Sequence, residues 1–151
     1  MDVIEIGAIT RTFYLAFTIW REARGEPIEV RIAVAWSILN RVAKPSWWGK
    51  DVDQVVTKAW QYSSLTDPRD PQLAKAWPLI DDRQWRECME IAQNVLRNAV
   101  SCPLPGADSY YDTSIPAPSW TAKARFCGQL GRIRFYDTDH DFEAAATGHA
   151  A

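Results

Sequence analysis

The chain reads as a mainly α-helical domain with a cleft and a small β element bordering it, and three observations predict that class. Long stretches follow the 3.6-residue template: Phe13, Phe17 and Trp20; then Ile28, Ile32, Ala35, Trp36, Leu39 and Val42; then Trp85, Cys88, Met89, Ala92, Val95, Leu96 and Ala99. After Pro103-Leu104-Pro105-Gly106 that periodicity stops, and short aromatic, β-prone runs replace it. A length of 151 residues, 47% hydrophobic with eight tryptophans, suits one domain with a sizeable core.

Taken in order, the first helix is expected over 8–24, with Thr10 as its N-cap. Glu22-Ala23-Arg24-Gly25-Glu26-Pro27 breaks the pattern. Gly25 can take the left-handed conformation that ends a helix, and Pro27 suits the first position of the next. The second helix, 27–43, has a nearly continuous apolar face and is stopped by Pro45, so it should be the central buried element. Asp51 can cap a third helix over 52–60, whose Val52, Val55, Val56 and Ala59 form one face. Gln61-Tyr62-Ser63-Ser64-Leu65-Thr66 is a loop or short hairpin at the cleft, and Asp70 can start a brief helix over 71–77. Asp81 should open the last clear helix. Ser109-Tyr110-Tyr111-Asp112 and Arg132-Ile133-Arg134-Phe135-Tyr136 look like short strands separated by proline-rich loop. From Asp137 the chain is a tail. There is no internal repeat and no linker to a second module, so one domain over 1–151 is expected.

Composition narrows the partners. A net charge of −2 gives no global case for nucleic acid. Residues 11–50 carry seven Arg/Lys against three Glu, a local excess of +4 that suits an anionic polymer or is simply a solvated face. Cys88, Cys102 and Cys127 form no Cys-x-x-Cys pair, so no zinc site is suggested and a reducing compartment fits. Cys88, on an apolar helix face, reads as a core residue. Asp137, Asp139, His140 and Asp141 lack a ligand spacing, so neither metal nor cofactor is expected. Met1 to Gly7 carries Asp2 and Glu5 where an export signal would be basic, and no apolar run reaches the ~20 residues that cross a bilayer. A product made in the cytoplasm, without stable membrane insertion, is the expectation.

The chemical signal is Glu22. It falls in the last turn of the first helix, against the partial negative pole, and an apolar pocket shared with Trp20 would add desolvation. Both effects raise a carboxyl pKa. A carboxylic acid kept protonated near neutral pH is what general-acid cleavage of a glycosidic bond requires. The alternative is that Glu22 and Glu26 are surface carboxylates paired with Arg21 and Arg24. Peptidase or amidase chemistry is less favoured, because neither a zinc set nor a Cys–His pair is visible.

Glu22-Ala23-Arg24-Gly25-Glu26-Pro27, followed by Ala33-Val34-Ala35-Trp36-Ser37-Ile38-Leu39-Asn40-Arg41-Val42, resembles the cell wall hydrolase family that includes the spore-cortex-lytic enzymes. Gln61-Tyr62-Ser63 is similar to the family's Gln-Phe-Ser element, and Ser109-Tyr110-Tyr111-Asp112 to its His-Tyr-Tyr-Asn element with two changes. Pro118-Ser119-Trp120 and Gly131-Arg132-Ile133-Arg134-Phe135-Tyr136 resemble its closing Pro-x-Trp and Gly-x-x-x-Phe-Tyr elements, so the likeness spans about 13–136. It implies a lysozyme-like fold and cleavage of the β-1,4 bond between N-acetylmuramic acid and N-acetylglucosamine in peptidoglycan. Glu22 would be catalytic, with Gln61, Tyr62 and Ser63 on one wall of the groove and Tyr110 or Tyr111 on the other. Alternation puts only one of those two tyrosines on a given face. Arg24 and Arg41 read as structural, bonding to helix ends or to Glu26.

A hydrolase would need a second carboxylate, and Glu26, Asp67, Asp70 and Asp112 carry no distinguishing pattern. The spore-cortex-lytic enzymes are lytic transglycosylases working with one glutamate, which makes that mechanism the leading expectation. A water-using muramidase is the alternative, and a non-catalytic glycan-binding or virion module the alternative of another class. Small size and the acidic N-terminus suggest a monomeric phage endolysin. A holin would release it from the host cytoplasm to reach peptidoglycan in the periplasm.

Overall fold

The two periodic stretches around the Gly-Glu-Pro break form α1, Val3–Ala23, and α2, Ile28–Ala43, in the computed structural model. It describes residues 3–44, 48–58, 61–62, 65, 67, 69–70 and 77–138, with backbone alone for 3–5. Helix α1 starts well before the expected cap. Thr10 lies inside it and donates its hydroxyl to Ile6 O at 2.9 Å, as Thr12 does to Ala8 O at 2.8 Å. A threonine that can cap can equally bond back one turn, so the cap signal misplaced the start. At the break, Glu26 N donates to Ala23 O at 2.9 Å and Arg31 N to Pro27 O at 3.2 Å. Pro27 takes the N-cap position, not the first helical one (φ −54°, ψ 155°). Gly25 is not among the glycines at positive φ, so the left-handed turn expected there does not form.

Helix α2 lies between two apolar clusters, which explains its nearly continuous hydrophobicity. One contains Leu15, Ile19, Ala35, Ile38, Val55 and Val95, and the other Val30, Val34, Ala107, Ile133 and Phe135. The face read from Ile28 onward is not the deepest one. Ile28 is 54% exposed, whereas Val30, Val34 and Ile38 are fully buried.

Helix α3 covers only Val52–Val56, shorter than the expected 52–60, and Asp51 makes no side-chain cap bond. Gln54 instead ties the preceding residue to the first turn, its Oε1 accepting from Lys50 N at 2.8 Å, and the Thr57 hydroxyl donates back to Asp53 O at 2.6 Å. Helix α4 runs Arg83–Leu96, capped by Asp82 and not Asp81; its carboxylate accepts from Gln84 N at 2.8 Å and Trp85 N at 3.3 Å. It ends before Ala99. Asn98 takes the left-handed conformation (φ 56°), with Asn98 N bonded to Val95 O and Ala99 N to Asn94 O. No helix among the described residues is long and apolar enough to cross a membrane.

The sheet is antiparallel in the order β1-β3-β2, with β1 Ser109–Asp112, β2 Arg125–Leu130 and β3 Ile133–Asp137. β2 corrects the expectation of loop alone. Its register shifts between Phe126, opposite Tyr136, and Gly128, opposite Phe135, so Cys127 is an extra residue that hides the alternation. The overlooked signal was Gly131-Arg132. This two-residue turn, with Gly131 at φ 58°, is a typical hairpin connection. A 3₁₀ helix, Ser119–Lys123, precedes β2.

Charge fastens the sheet to α2. Lys44, just past the helix, donates to Asp108 Oδ2 at 2.8 Å, Asp137 Oδ1 at 3.0 Å and Gly106 O at 3.2 Å. Arg125 Nη2 holds the other oxygen of Asp137 at 2.8 Å. Burial opposes the Lys44 charge, but both carboxylates outweigh it and hold its pKa above the usual lysine value. Gly106 must be glycine here: its φ is 85°, and a Cβ would lie 2.8 Å from Arg125 Nη2. The expected helix at 71–77 lies, apart from Trp77, outside the described residues, as do Ser63 and 139–151.

Candidate active site

Glu22 sits half-buried in the last turn of α1, and the following residue, Ala23, is packed into the second apolar cluster. Strand β1 supplies a hydrogen-bond partner. Tyr110 is paired with Phe135 of β3, its ring centroid 5.6 Å from that of Phe135, and its hydroxyl donates to Glu22 Oε1 at 3.2 Å. The two residues line a cavity of ≈ 200 Å³, whose other lining residues are Arg41, Gln61, Tyr62, Ser109 and Trp120.

Arg41 is the member that sequence reasoning treated as structural. It reaches the cavity from the last turn of α2 and is 6% exposed. Its Nε donates to Asp108 O at 2.6 Å, Nη1 to Gln61 Oε1 at 3.3 Å and Nη2 to Ser109 Oγ at 3.4 Å. The guanidinium lies 4.1 Å from the Trp48 ring centroid and 5.1 Å from that of Tyr62. It therefore ties the 61–62 segment and β1 to α2 while keeping its charge at the cavity. Arg24 behaves as expected, lying over Trp20 and donating to Trp20 O at 3.2 Å.

Both cavity tyrosines keep their protons. Burial pushes the Tyr62 hydroxyl up to about 12; Arg41 opposes this, and the negative charges of Glu22 and Asp108 add to it. Burial and the charge of Glu22 carry Tyr110 well above its ordinary value, against the pull of Arg41. Tyr110 is thus a neutral donor toward Glu22 throughout the physiological range.

Of the residues singled out from sequence, Glu22, Gln61, Tyr62 and Tyr110 meet at the cavity. Tyr111 does not line it. Alternation turns its side chain away from that of Tyr110; its ring stacks on Tyr136 at 6.1 Å and meets the ring of the lining residue Trp120 edge-on at 6.4 Å. Trp20 is not part of the lining either, because residues two apart on a helix face different ways; the aromatic rings that line the cavity are those of Tyr62, Tyr110 and Trp120. Ser109 and Trp120 stand out in the sequence only as parts of the Ser109-Tyr110-Tyr111-Asp112 and Pro118-Ser119-Trp120 motifs. Trp120 is 36% exposed on the 3₁₀ helix.

None of the four candidate second carboxylates lines the cavity. Glu26 accepts from Arg132 Nε and Nη2 at 3.1 and 2.9 Å, and Asp112 pairs with Arg132 at 3.1 Å. Asp67 pairs with Arg69 at 3.1 Å. Arg21 lies over the rings of Phe17 and Trp77. A larger hollow of ≈ 380 Å³ between α1 and α4 is lined by Ile9, Arg11, Met89 and Leu96, among others, but by no carboxylate, so size does not locate the chemistry. Among the described residues no group of three or more His, Cys, Asp or Glu is arranged to hold a metal ion.

What remains at the cavity is one carboxyl group, a neutral phenolic donor, a fixed cation and a flat indole at the rim. No curated protein and no solved structure matches the chain. A family described as Cell Wall Hydrolase matches it over residues 25–136, from just beyond Glu22 through α2, the Gln61-Tyr62 segment and nearly all of the sheet. With well over half of its length matched, the chain belongs to the cell wall hydrolase family.

Proposed function

We propose that this enzyme acts on peptidoglycan as a lytic transglycosylase, cleaving the β-1,4 bond between N-acetylmuramic acid and N-acetylglucosamine with Glu22 as both acid and base. The observation that carries the reading is the lining of the cavity: Glu22 is its single carboxylate among the described residues, and it is oriented by the Tyr110 hydroxyl. Glu22 gives its proton to the bridging oxygen as the C1–O bond breaks and the bonding pair goes to that oxygen. The muramic-acid 6-hydroxyl oxygen then bonds to C1, and its proton passes to Glu22, restoring the acid. The products are a free N-acetylglucosamine 4-hydroxyl and a 1,6-anhydro ring, and no water is consumed. One carboxyl group suffices for that sequence, whereas hydrolysis would call for a second one 5–9.5 Å away, to within about an ångström.

Gln61 and Tyr62 form one wall, and Trp120 at the rim offers a flat face for a sugar. A non-catalytic glycan-binding role would leave the orientation of Glu22 without a purpose. The test is Glu22→Gln. Lysis of purified peptidoglycan should fall below a few per cent of the unmodified enzyme with the thermal melt nearly unchanged. Retained lysis would remove Glu22 from the acid role.

A further inference from the structure

We propose that Arg41 is a positioning residue whose fixed charge serves the Glu22 carboxylate as counter-ion, and so sets how readily Glu22 gives up and takes back its proton. The inference rests on the reading of Glu22 given above. Its starting point is an imbalance. A buried charge is normally met by an opposite one, yet among the described residues every hydrogen-bond partner of the buried Arg41 guanidinium is neutral: a backbone carbonyl, an amide oxygen and a hydroxyl. Its two ring contacts supply only π density.

Among the described residues, the neighbouring charges have partners of their own. Lys44 and Arg125 stand against Asp108 and Asp137. Arg31 pairs with Glu87, and Arg132 with Glu26 and Asp112. The Ser109 hydroxyl that accepts from Arg41 donates onward to Asp108 Oδ1 at 2.9 Å, which makes it a bridge and not a counter-charge. Glu22 is therefore the one carboxylate, among the described residues, that shares the cavity with this cation.

The hydroxyls of Tyr62 and Tyr110 are pushed up first by burial; the charge of Glu22 adds to this and that of Arg41 opposes it, in keeping with groups that line one cavity. Among the described residues, those that line the cavity with Glu22 are Ser109 and Tyr110 from β1, Gln61 and Tyr62 from the 61–62 segment, Arg41 from α2 and Trp120 from the 3₁₀ helix. On its own helix, Arg21 is directed to Phe17 and Trp77, and Arg24 to Trp20.

Burial and the end of α1 favour the protonated acid. Arg41 works in the other direction. It stabilises the carboxylate that exists after the bridging oxygen has been protonated and before the 6-hydroxyl proton arrives. Without that charge Glu22 would hold its proton too tightly to cycle.

The test separates charge from clamping. Arg41→Met removes both; Arg41→Lys keeps the charge but loses the planar fork. Arg41→Gln, which keeps an amide, is the second neutral variant should the methionine protein fail to fold. The Glu22 carboxyl is titrated by ¹³C NMR in each folded protein, without substrate, alongside the pH profile of peptidoglycan lysis. The expected result is a Glu22 midpoint raised by about one pH unit or more in the neutral variants, with the basic limb of the lysis profile moving up equally, and little shift in Arg41→Lys. Equal shifts in lysine and neutral variants, or none in either neutral variant, would overturn the proposal and leave Arg41 a clamp. Because the titration needs no turnover, that outcome is distinct from failure of the Glu22 assignment, which the Glu22→Gln lysis assay judges.

Discussion

Replacing Lys44 with methionine puts the attachment of the sheet to the helices under direct strain. The ammonium contacts two carboxylates, at 2.8 and 3.0 Å, that are both fully buried. Methionine matches the stem but leaves a buried negative charge without its partner. Asp137 retains Arg125, so the exposed loss falls on Asp108, which among the described residues keeps the neutral donors Ser109 and Thr138. Breaking a buried pair from one side costs about 3–5 kcal/mol, and in a chain of this length each kcal/mol lowers Tm by ~2–4 °C. A fall of about 10 °C is therefore expected in calorimetric or circular-dichroism melts at neutral pH. Adding Asp108→Asn removes the stranded charge and should restore half or more of the loss. A fall under ~3 °C, or no recovery in the double variant, would refute the view that this cluster fastens the sheet. The pH dependence has a definite sign. The folded pKa of Lys44 is raised above 10.5, so its contribution is complete below that pH and is lost as pH rises through the folded value.

Tyr110→Phe keeps the ring on Phe135 and deletes only the hydroxyl on Glu22. The bond is long for O–H···O, so lysis should fall roughly tenfold with Tm little changed, and undiminished activity would show that the hydroxyl does not orient the acid. Spectrophotometric titration of the five tyrosines should show Tyr62 and Tyr110 ionising late. The Tyr62 pKa rises from 10.0 to about 12 on folding, so its contribution to stability is intact below pH 10 and vanishes toward pH 12. Two buried tyrosines titrating near pH 10 without loss of structure would contradict that burial.

The helices were legible because they are periodic, and the turn after Glu22 because proline and glycine punctuate it. What periodicity could not settle is which face matters when a helix is buried on several sides. Ile28 led the apparent stripe of α2 and is exposed, while Val30, Val34 and Ile38 form its deepest contacts. β2 was concealed by its own bulge, since the extra Cys127 destroys the alternation that identifies a strand. Alternation said that Tyr110 and Tyr111 must part; only the pairing of Tyr110 with Phe135 decides which of them turns toward Glu22. Arg41 was unreadable for another reason. Its meaning depends on Asp108, Ser109 and Gln61, which lie 67, 68 and 20 residues away and converge only on folding.

The most direct measurement is mass spectrometry of the muropeptides released when purified peptidoglycan is digested in ¹⁸O-labelled water. A single glutamate cycling one proton predicts 1,6-anhydro-muramic acid ends free of label. Reducing muramic acid ends carrying ¹⁸O would contradict it, because a water would then have attacked and a second base would have had to activate it.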